Sequence, residues 1–175
     1  MSGAVFLAGE RVELRTVERD DVPFLHRWNN DPGMRRATGG QSVPFTLAEE
    51  YESYEAALAD GDSVTLLTWW RGEPVGGVEL DVTGPEADAV EIAYWLVPEV
   101  RGEGLARDAV ATLLDYAFDE FGAHRVHAEA FAFNEASARL LGALGFTNEG
   151  RLRENHFADG RYYDTLVFGL LADER

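Results

Sequence analysis

Along this chain, apolar positions either alternate or recur every three to four residues, and the two rhythms predict a series of strands and helices. Residues 11 to 15, RVELR, alternate and predict a first strand. Val22, Phe24, Leu25 and Trp28 share one helical face behind the acids Asp20 and Asp21, which predicts a helix ending near Asn30 and stopped by Asp31, Pro32 and Gly33. Met34 to Pro44 holds two glycines, a proline and the pair Arg35 and Arg36, and reads as an irregular loop. Thr46 with Glu49 three residues on is a capping-box signature for a second helix, carrying Tyr51, Tyr54 and Leu58 and closed by Gly61.

Three strand-like runs follow, Val64 to Trp70, Val75 to Val82 and Val90 to Val97, separated by the turns Arg71-Gly72-Glu73-Pro74 and Thr83-Gly84-Pro85-Glu86. Turns that short imply an antiparallel meander. Leu105, Ala109, Val110, Leu113, Leu114, Ala117 and Phe118 then recur at three and four, the pattern of a long amphipathic helix. Arg125 to Phe133 reads as a strand, Glu135 to Leu144 as a helix with Gly145 past its end, and two last strands flank Ala158-Asp159-Gly160. The expected fold is α/β in a single domain over residues 1–175. Its mixed, mostly antiparallel central sheet has about seven strands flanked by about four helices, with a strand-helix-strand crossover at the centre.

Composition narrows the functions open to such a fold. The 175 residues are 46% hydrophobic and carry a formal charge of −17, from 32 acids against 15 bases that are all arginine. An acidic, lysine-free chain lacks the positive field that nucleic acid or an anionic membrane demands, so neither is an expected partner. No cysteine means no disulfide, thiolate zinc site or cysteine nucleophile, and no lysine means no Schiff base and no P-loop lysine. The opening MSGAVFLAGERVEL has no positive region ahead of its apolar run, and no apolar stretch nears the ~20 residues of a membrane span. A cytoplasmic protein is expected.

Chemistry concentrates after the third meander strand. Arg101-Gly102-Glu103-Gly104-Leu105-Ala106 follows a strand and opens the long helix, where free backbone N–H groups favour an anion. A dinucleotide fingerprint would place a third glycine at Arg107, and a P-loop would need Gly-Lys, so both readings fail. A phosphate cradle remains, with Arg101 and Arg107 as counter-charges; an ordinary tight turn at a helix start is the plainer alternative.

These residues resemble the acetyl-CoA signature of the GCN5-related N-acetyltransferase (GNAT) superfamily, Gln/Arg-x-x-Gly-x-Gly/Ala, with Arg101, Gly104 and Ala106 at its defined positions. The resemblance spans nearly the whole chain and is nearest to the RimJ/RimL-like branch. RVELRTVERDDVPFLHRWNNDPGMRR is similar to that branch's opening, EIAYWLVPEVRGEGLARDA to its central motif, and NEASARLLGALGF to its second motif. It implies a GNAT-type fold with acetyl-CoA as cosubstrate: the pyrophosphate on Arg101, Gly102, Glu103, Gly104, Leu105 and Ala106 with Arg107 beside it as a further cofactor-binding residue, the pantetheine arm along opened backbone at Leu96 and Val97, and Asn134 touching the same arm. A homodimer is also implied.

Acetyl transfer needs a neutral amine, a polarised thioester carbonyl and a proton for the departing thiolate. Glu91, opening the central strand, matches the position of a glutamate base in some members; a solvated strand-end carboxylate is the alternative. Glu149 and Glu154 are further candidates. Asn134 fits a helix N-cap. Many members carry a tyrosine seven residues after this asparagine, where Leu141 stands here, whereas RimL-like members place a serine at the position of Ser137. Ser137 is therefore the candidate proton source. His124 and His127 read as structural, and Trp28, Met34, Arg35 and Arg36 lie where the superfamily builds its acceptor site, with Glu149-Gly150-Arg151 and Tyr163-Asp164 as the opposite wall. The acceptor would be a primary amine, either a peptide N-terminus or a small molecule; a catalytically weak acyl-CoA-binding module is the other class.

The dense carboxylates suit a halophilic source, because salt screens their repulsion. Raising KCl from low millimolar to molar should raise the melting temperature, and a flat curve would refute this.

Overall fold

The computed structural model describes residues 3–40, 43–59, 63–83 and 88–175. Gly61 and residues 84–86 of the expected turn lie outside these ranges. In chain order come β1 (Val5–Ala8), β2 (Glu13–Thr16), α1 (Val22–Asn29), α2 (Pro32–Thr38), α3 (Leu47–Ala59), β3 (Ser63–Trp70), β4 (Glu73–Val82), β5 (Ala89–Leu96), α4 (Leu105–Asp115), β6 (Arg125–Phe131), α5 (Glu135–Ala143), β7 (Thr147–Ala158) and β8 (Arg161–Leu171). The strands form one sheet ordered β1-β2-β3-β4-β5-β6-β8-β7, antiparallel throughout except where β5 meets β6. The α/β class is as expected, with one strand and one helix more among the described residues.

Both additions have local causes. The expected loop at Met34 to Pro44 begins instead as α2, because Asp31 is an extended N-cap whose Oδ1 accepts the Met34 N–H at 2.9 Å and Pro32 occupies the first turn. Gly39, at φ 74°, closes the helix with its N–H on the Arg35 carbonyl. Residues that stop α1 thus start α2. Strand β1 has largely exposed residues and is held by pairing with β2, so no alternation marks it. At α3 the expected capping box is present: the Thr46 N–H donates to Glu49 Oε2 at 2.8 Å, and the Glu49 N–H to Thr46 Oγ1 at 3.2 Å.

The core lies mainly between the sheet and α4 and α5. Val90, Ile92 and Leu96 of β5, Val78 and Leu80 of β4 and Val126, Ala128 and Ala130 of β6 are buried in one cluster with Leu105, Ala109, Val110 and Leu113 of α4 and Leu141 of α5. Among the described residues no helix is long and apolar enough to cross a membrane.

Two features of this frame set the site. Strand β5 pairs with β4 from Val90 to Leu96, but with β6 only from Ala89 to Glu91, so the sheet parts beyond Glu91. The Val97 N–H donates to the Val75 carbonyl at 2.8 Å. Alternation along an antiparallel ladder then turns the backbone groups of Ile92, Tyr94 and Leu96 into the parting.

The second feature is the anchoring of α4. The Asp108 carboxylate, in its first turn, accepts the N–H groups of Glu10, Arg11 and Val12 at 3.0, 2.8 and 2.9 Å, and the Arg11 guanidinium donates to the Glu103 carbonyl. One side chain therefore fixes the helix start against the β1–β2 turn. Asp108→Ala should lower stability by about 3 kcal/mol, since it strips a charged acceptor from three donors; a urea melt within error of wild type would contradict this.

Candidate active site

Two cavities meet at the parting of the sheet. The larger, about 640 Å³, is lined by Arg101, Gly102, Gly104, Leu105, Ala106 and Arg107 on one side and by Asn134, Ser137 and Leu140 on the other. Gly102 and Gly104 sit at φ 84° and 80°. A side chain in that left-handed region costs about 1–2 kcal/mol, which is why the turn uses glycine twice. Gly104 is the N-cap of α4 and supplies no side-chain oxygen, so the N–H groups of Leu105, Ala106 and Arg107 point out of the helix with no acceptor within it.

Each expected residue of this half has a definite place. Arg101 folds inward, its Nε donating to the Leu96 carbonyl at 3.1 Å and a terminal nitrogen lying 3.0 Å from Met34 Sδ. Arg107 is exposed at the cavity rim. Glu103 lines neither cavity; its carbonyl is held by Arg11. The two strand residues separate: Leu96 lines the cavity, whereas the Val97 N–H is committed to Val75 and its carbonyl accepts the Val100 N–H at 3.3 Å.

Asn134 and Ser137 line both cavities. Asn134 is the N-cap of α5, its Oδ1 accepting the Ser137 N–H at 3.3 Å. The Ser137 Oγ lies 2.7 Å from the Tyr94 hydroxyl. Burial pushes the Tyr94 phenol up from its ordinary pKa, partly offset by this hydrogen bond. Leu141 is fully buried in the core.

The second cavity, about 400 Å³, lies on the face of β5 that carries Glu91, Ala93 and Trp95, beneath Trp28 of α1 and Met34, Ala37 and Thr38 of α2. Trp95 stacks on Phe24 of α1 with ring centres 5.8 Å apart, and lies so close to β4 that a Cβ on Gly77 would come within 2.9 Å of its indole nitrogen. Arg36 of α2 pairs with Asp159 at 2.7 Å and covers Phe133 at 5.0 Å.

Among the described residues, three carboxyl groups line this cavity: Glu79, Glu91 and Glu129. Glu91 is half exposed, its carboxylate 3.6 Å from His127 Nε2. Glu79 is pushed toward its protonated form by burial, then by Asp81. Glu129 is raised by burial and by the Glu91 charge, with His127 opposing. An acid wall of this kind favours a cation.

Tyr94, Glu79 and Glu129 escaped the sequence reading. Glu79 stands opposite Ala93 in the meander, next to Tyr94, but Glu129 is brought to Glu91 only by the Glu91↔His127 register, which joins strands separated by the whole of α4. Other expectations fall outside the site. Glu149 is bound bidentately to Arg125, which holds its carboxyl below the usual range, and Arg151 pairs with Asp164 at 3.1 Å while Asp164 also accepts the Glu154 N–H. None of Glu149, Gly150, Arg151, Glu154, Tyr163 and Asp164 lines either cavity, nor does Arg35; the opposite wall is Phe131, Phe133 and α5.

A sheet parted beside a helix-start cradle, with an acid-walled cavity on its other face, is suited to bringing an anionic donor to a cationic acceptor. Residues 11–147 match the acetyltransferase (GNAT) domain, and the chain belongs to that family. It is 38% identical over 169 residues to the SPbeta prophage-derived uncharacterized N-acetyltransferase YokL of Bacillus subtilis, covering 97% of this chain and 94% of that protein. It is 26% identical over 162 residues to the spermidine N(1)-acetyltransferase of Escherichia coli, covering 89% and 83%. The spermidine N-acetyltransferase of Vibrio cholerae, solved in complex with CoA and spermine, superposes with a TM-score of 0.88 at 26% identity, over 94% of this chain and 97% of that one. This chain is an N-acetyltransferase.

The raised Glu79 gives a signed prediction. A carboxyl whose folded pKa lies above its ordinary 4.5 opposes folding at neutral pH, and that penalty fades as pH falls through the folded value. Glu79→Gln should melt a few degrees higher than wild type at pH 7, with the gain vanishing below pH 4.5; an equal gain at both pH values would exclude the carboxyl charge as its cause.

Proposed function

We propose that this enzyme transfers the acetyl group of acetyl-CoA to a primary amine of a small, multiply charged cation of the polyamine class, by direct attack on the thioester. The observation that carries this reading is the acid wall of Glu79, Glu91 and Glu129, opening onto the same parting of the sheet as the anion cradle. A lone peptide N-terminus brings one positive charge to that wall, whereas a polyamine brings several. The spermidine acetyltransferases among its relatives support the same choice.

In this reading the CoA pyrophosphate rests on Gly102 to Arg107, with Arg101 and Arg107 as counter-charges and Glu103 contributing backbone alone. The pantetheine arm runs through the parting, where the backbone of Leu96 and Tyr94 serves as its strand partner, Val97 supports that strand from behind, and Asn134 faces the arm from α5. A backbone N–H at the parting polarises the thioester carbonyl. Glu91, through water, takes the proton that the ammonium group must lose before it attacks. Ser137 hydrogen-bonds at the departing sulfur.

A panel of polyamines, monoamines and N-terminal peptides, mixed with acetyl-CoA and assayed for released thiol, tests this. Polyamines should show the highest kcat/KM, and Glu91→Gln should lower kcat about 10²-fold, the range of a general base. A full-rate Glu91→Gln enzyme removes Glu91 as the base, and preference for a peptide assigns the site to protein N-termini instead. CoA-induced thermal stabilisation with no turnover on any amine would make the chain a binding module.

A further inference from the structure

Leu141 leaves the departing thiolate without the tyrosine that many members of this family place on the helix, yet a phenol reaches that region from the sheet. Tyr94 projects from β5 on the α5 side, and its hydroxyl lies 2.7 Å from Ser137 Oγ and 3.5 Å from the Ser137 carbonyl. Tyr94 and Ser137 both line both cavities, so their hydroxyl pair stands where donor and acceptor halves join. A pair that served only to dock α5 on the sheet would not need to face either space.

Taking the acetyl-transfer reading above as given, we propose that Tyr94 is the catalytic acid of this enzyme, delivering its proton to the departing CoA sulfur through the Ser137 hydroxyl. As the C–S bond of the tetrahedral intermediate breaks, its electron pair stays on sulfur. The Ser137 O–H passes a proton to that sulfur and takes one from the Tyr94 O–H in the same motion. Water in the acid-walled cavity then restores the phenol. The proton removed from the amine and the proton gained by sulfur balance, so no other reactant enters. Burial that disfavours the phenolate keeps Tyr94 protonated at neutral pH. A serine alone is too weak an acid to start the transfer, whereas a hydroxyl that gives and accepts at once suits a relay.

Steady-state kinetics of wild type, Tyr94→Phe, Ser137→Ala and the double variant, with acetyl-CoA and the best amine of the panel, test the assignment. Each variant's melting temperature is measured with and without CoA. Tyr94→Phe should lose about 10²-fold in kcat, the usual worth of general acid catalysis, with little change in the KM for acetyl-CoA. It should also lose the alkaline limb of the kcat–pH profile. Ser137→Ala should fall similarly and the double variant no further, because the two act as one unit. The proposal is overturned if Tyr94→Phe keeps its kcat, or if its loss comes as raised KM and lowered melting temperature with the alkaline limb intact. A full-rate Ser137→Ala removes the relay even where Tyr94→Phe is slow. Wild type that turns over no amine defeats the acetyl-transfer reading first, and this assignment with it.

Discussion

The site exists because a β-sheet has been left unzipped along one strand. Backbone N–H and C=O groups removed from water need partners, and an internal strand normally finds them on both neighbours. Strand β5 keeps β4 along its length but loses β6 after Glu91, so the groups of Ile92, Tyr94 and Leu96 must be answered by something other than a strand. Arg101 answers one, at the Leu96 carbonyl. The helix that covers the parting, α5, begins at Asn134 and brings Ser137 to Tyr94, so the same opening that exposes backbone also collects the hydroxyl groups.

That geometry also solves an electrostatic conflict. A chain of charge −17 has to hold a polyanion and, a few residues away, a carboxylate wall. The anion half relies on fixed dipoles as well as on the scarce arginines: outward N–H groups of α4 and two glycines that let the backbone approach. The acids lie on the opposite face of the sheet, because side chains alternate along β5 while Glu79 and Glu129 are brought alongside by register. Sheet and parting thus keep two negative groups, the bound polyanion and the carboxylate wall, apart.

How much of this could be read in the sequence depends on how far apart the interacting residues are. The cradle, the N-cap at Asn134 and the Thr46–Glu49 box are local patterns, fixed within a few residues, and they were legible. Helix α2 was not, because Pro32 and Gly33 read as a stop while Asp31 and Pro32 also meet the requirements of a start. The caps at Asp31 and Gly39 complete the helix, and Met34 buried beside Arg101 and Arg36 paired to Asp159 hold it in place. The Tyr94–Ser137 pair spans 43 residues and depends on a crossover whose angle no local pattern encodes. Sequence spacing located the empty tyrosine position at Leu141; only the fold supplied a phenol near it.

The acid wall explains why such a site is maintained at some expense to the fold. Carboxyls crowded beside other acids and partly withdrawn from water weaken the folded state, as the upward shifts indicate at Glu79, from burial and Asp81, and at Glu129, from burial and Glu91. A core of the size seen beneath α4 can absorb such a penalty, and a cation in the cavity would relieve it by favouring the charged forms of those groups. Ligand binding and folding stability are therefore linked through Glu79 and Glu129. Dissolved salt acts differently: it screens the exposed acids of the surface strongly and the partly buried wall weakly. A high-salt medium would then support the fold as a whole while leaving the cavity's negative potential largely in place.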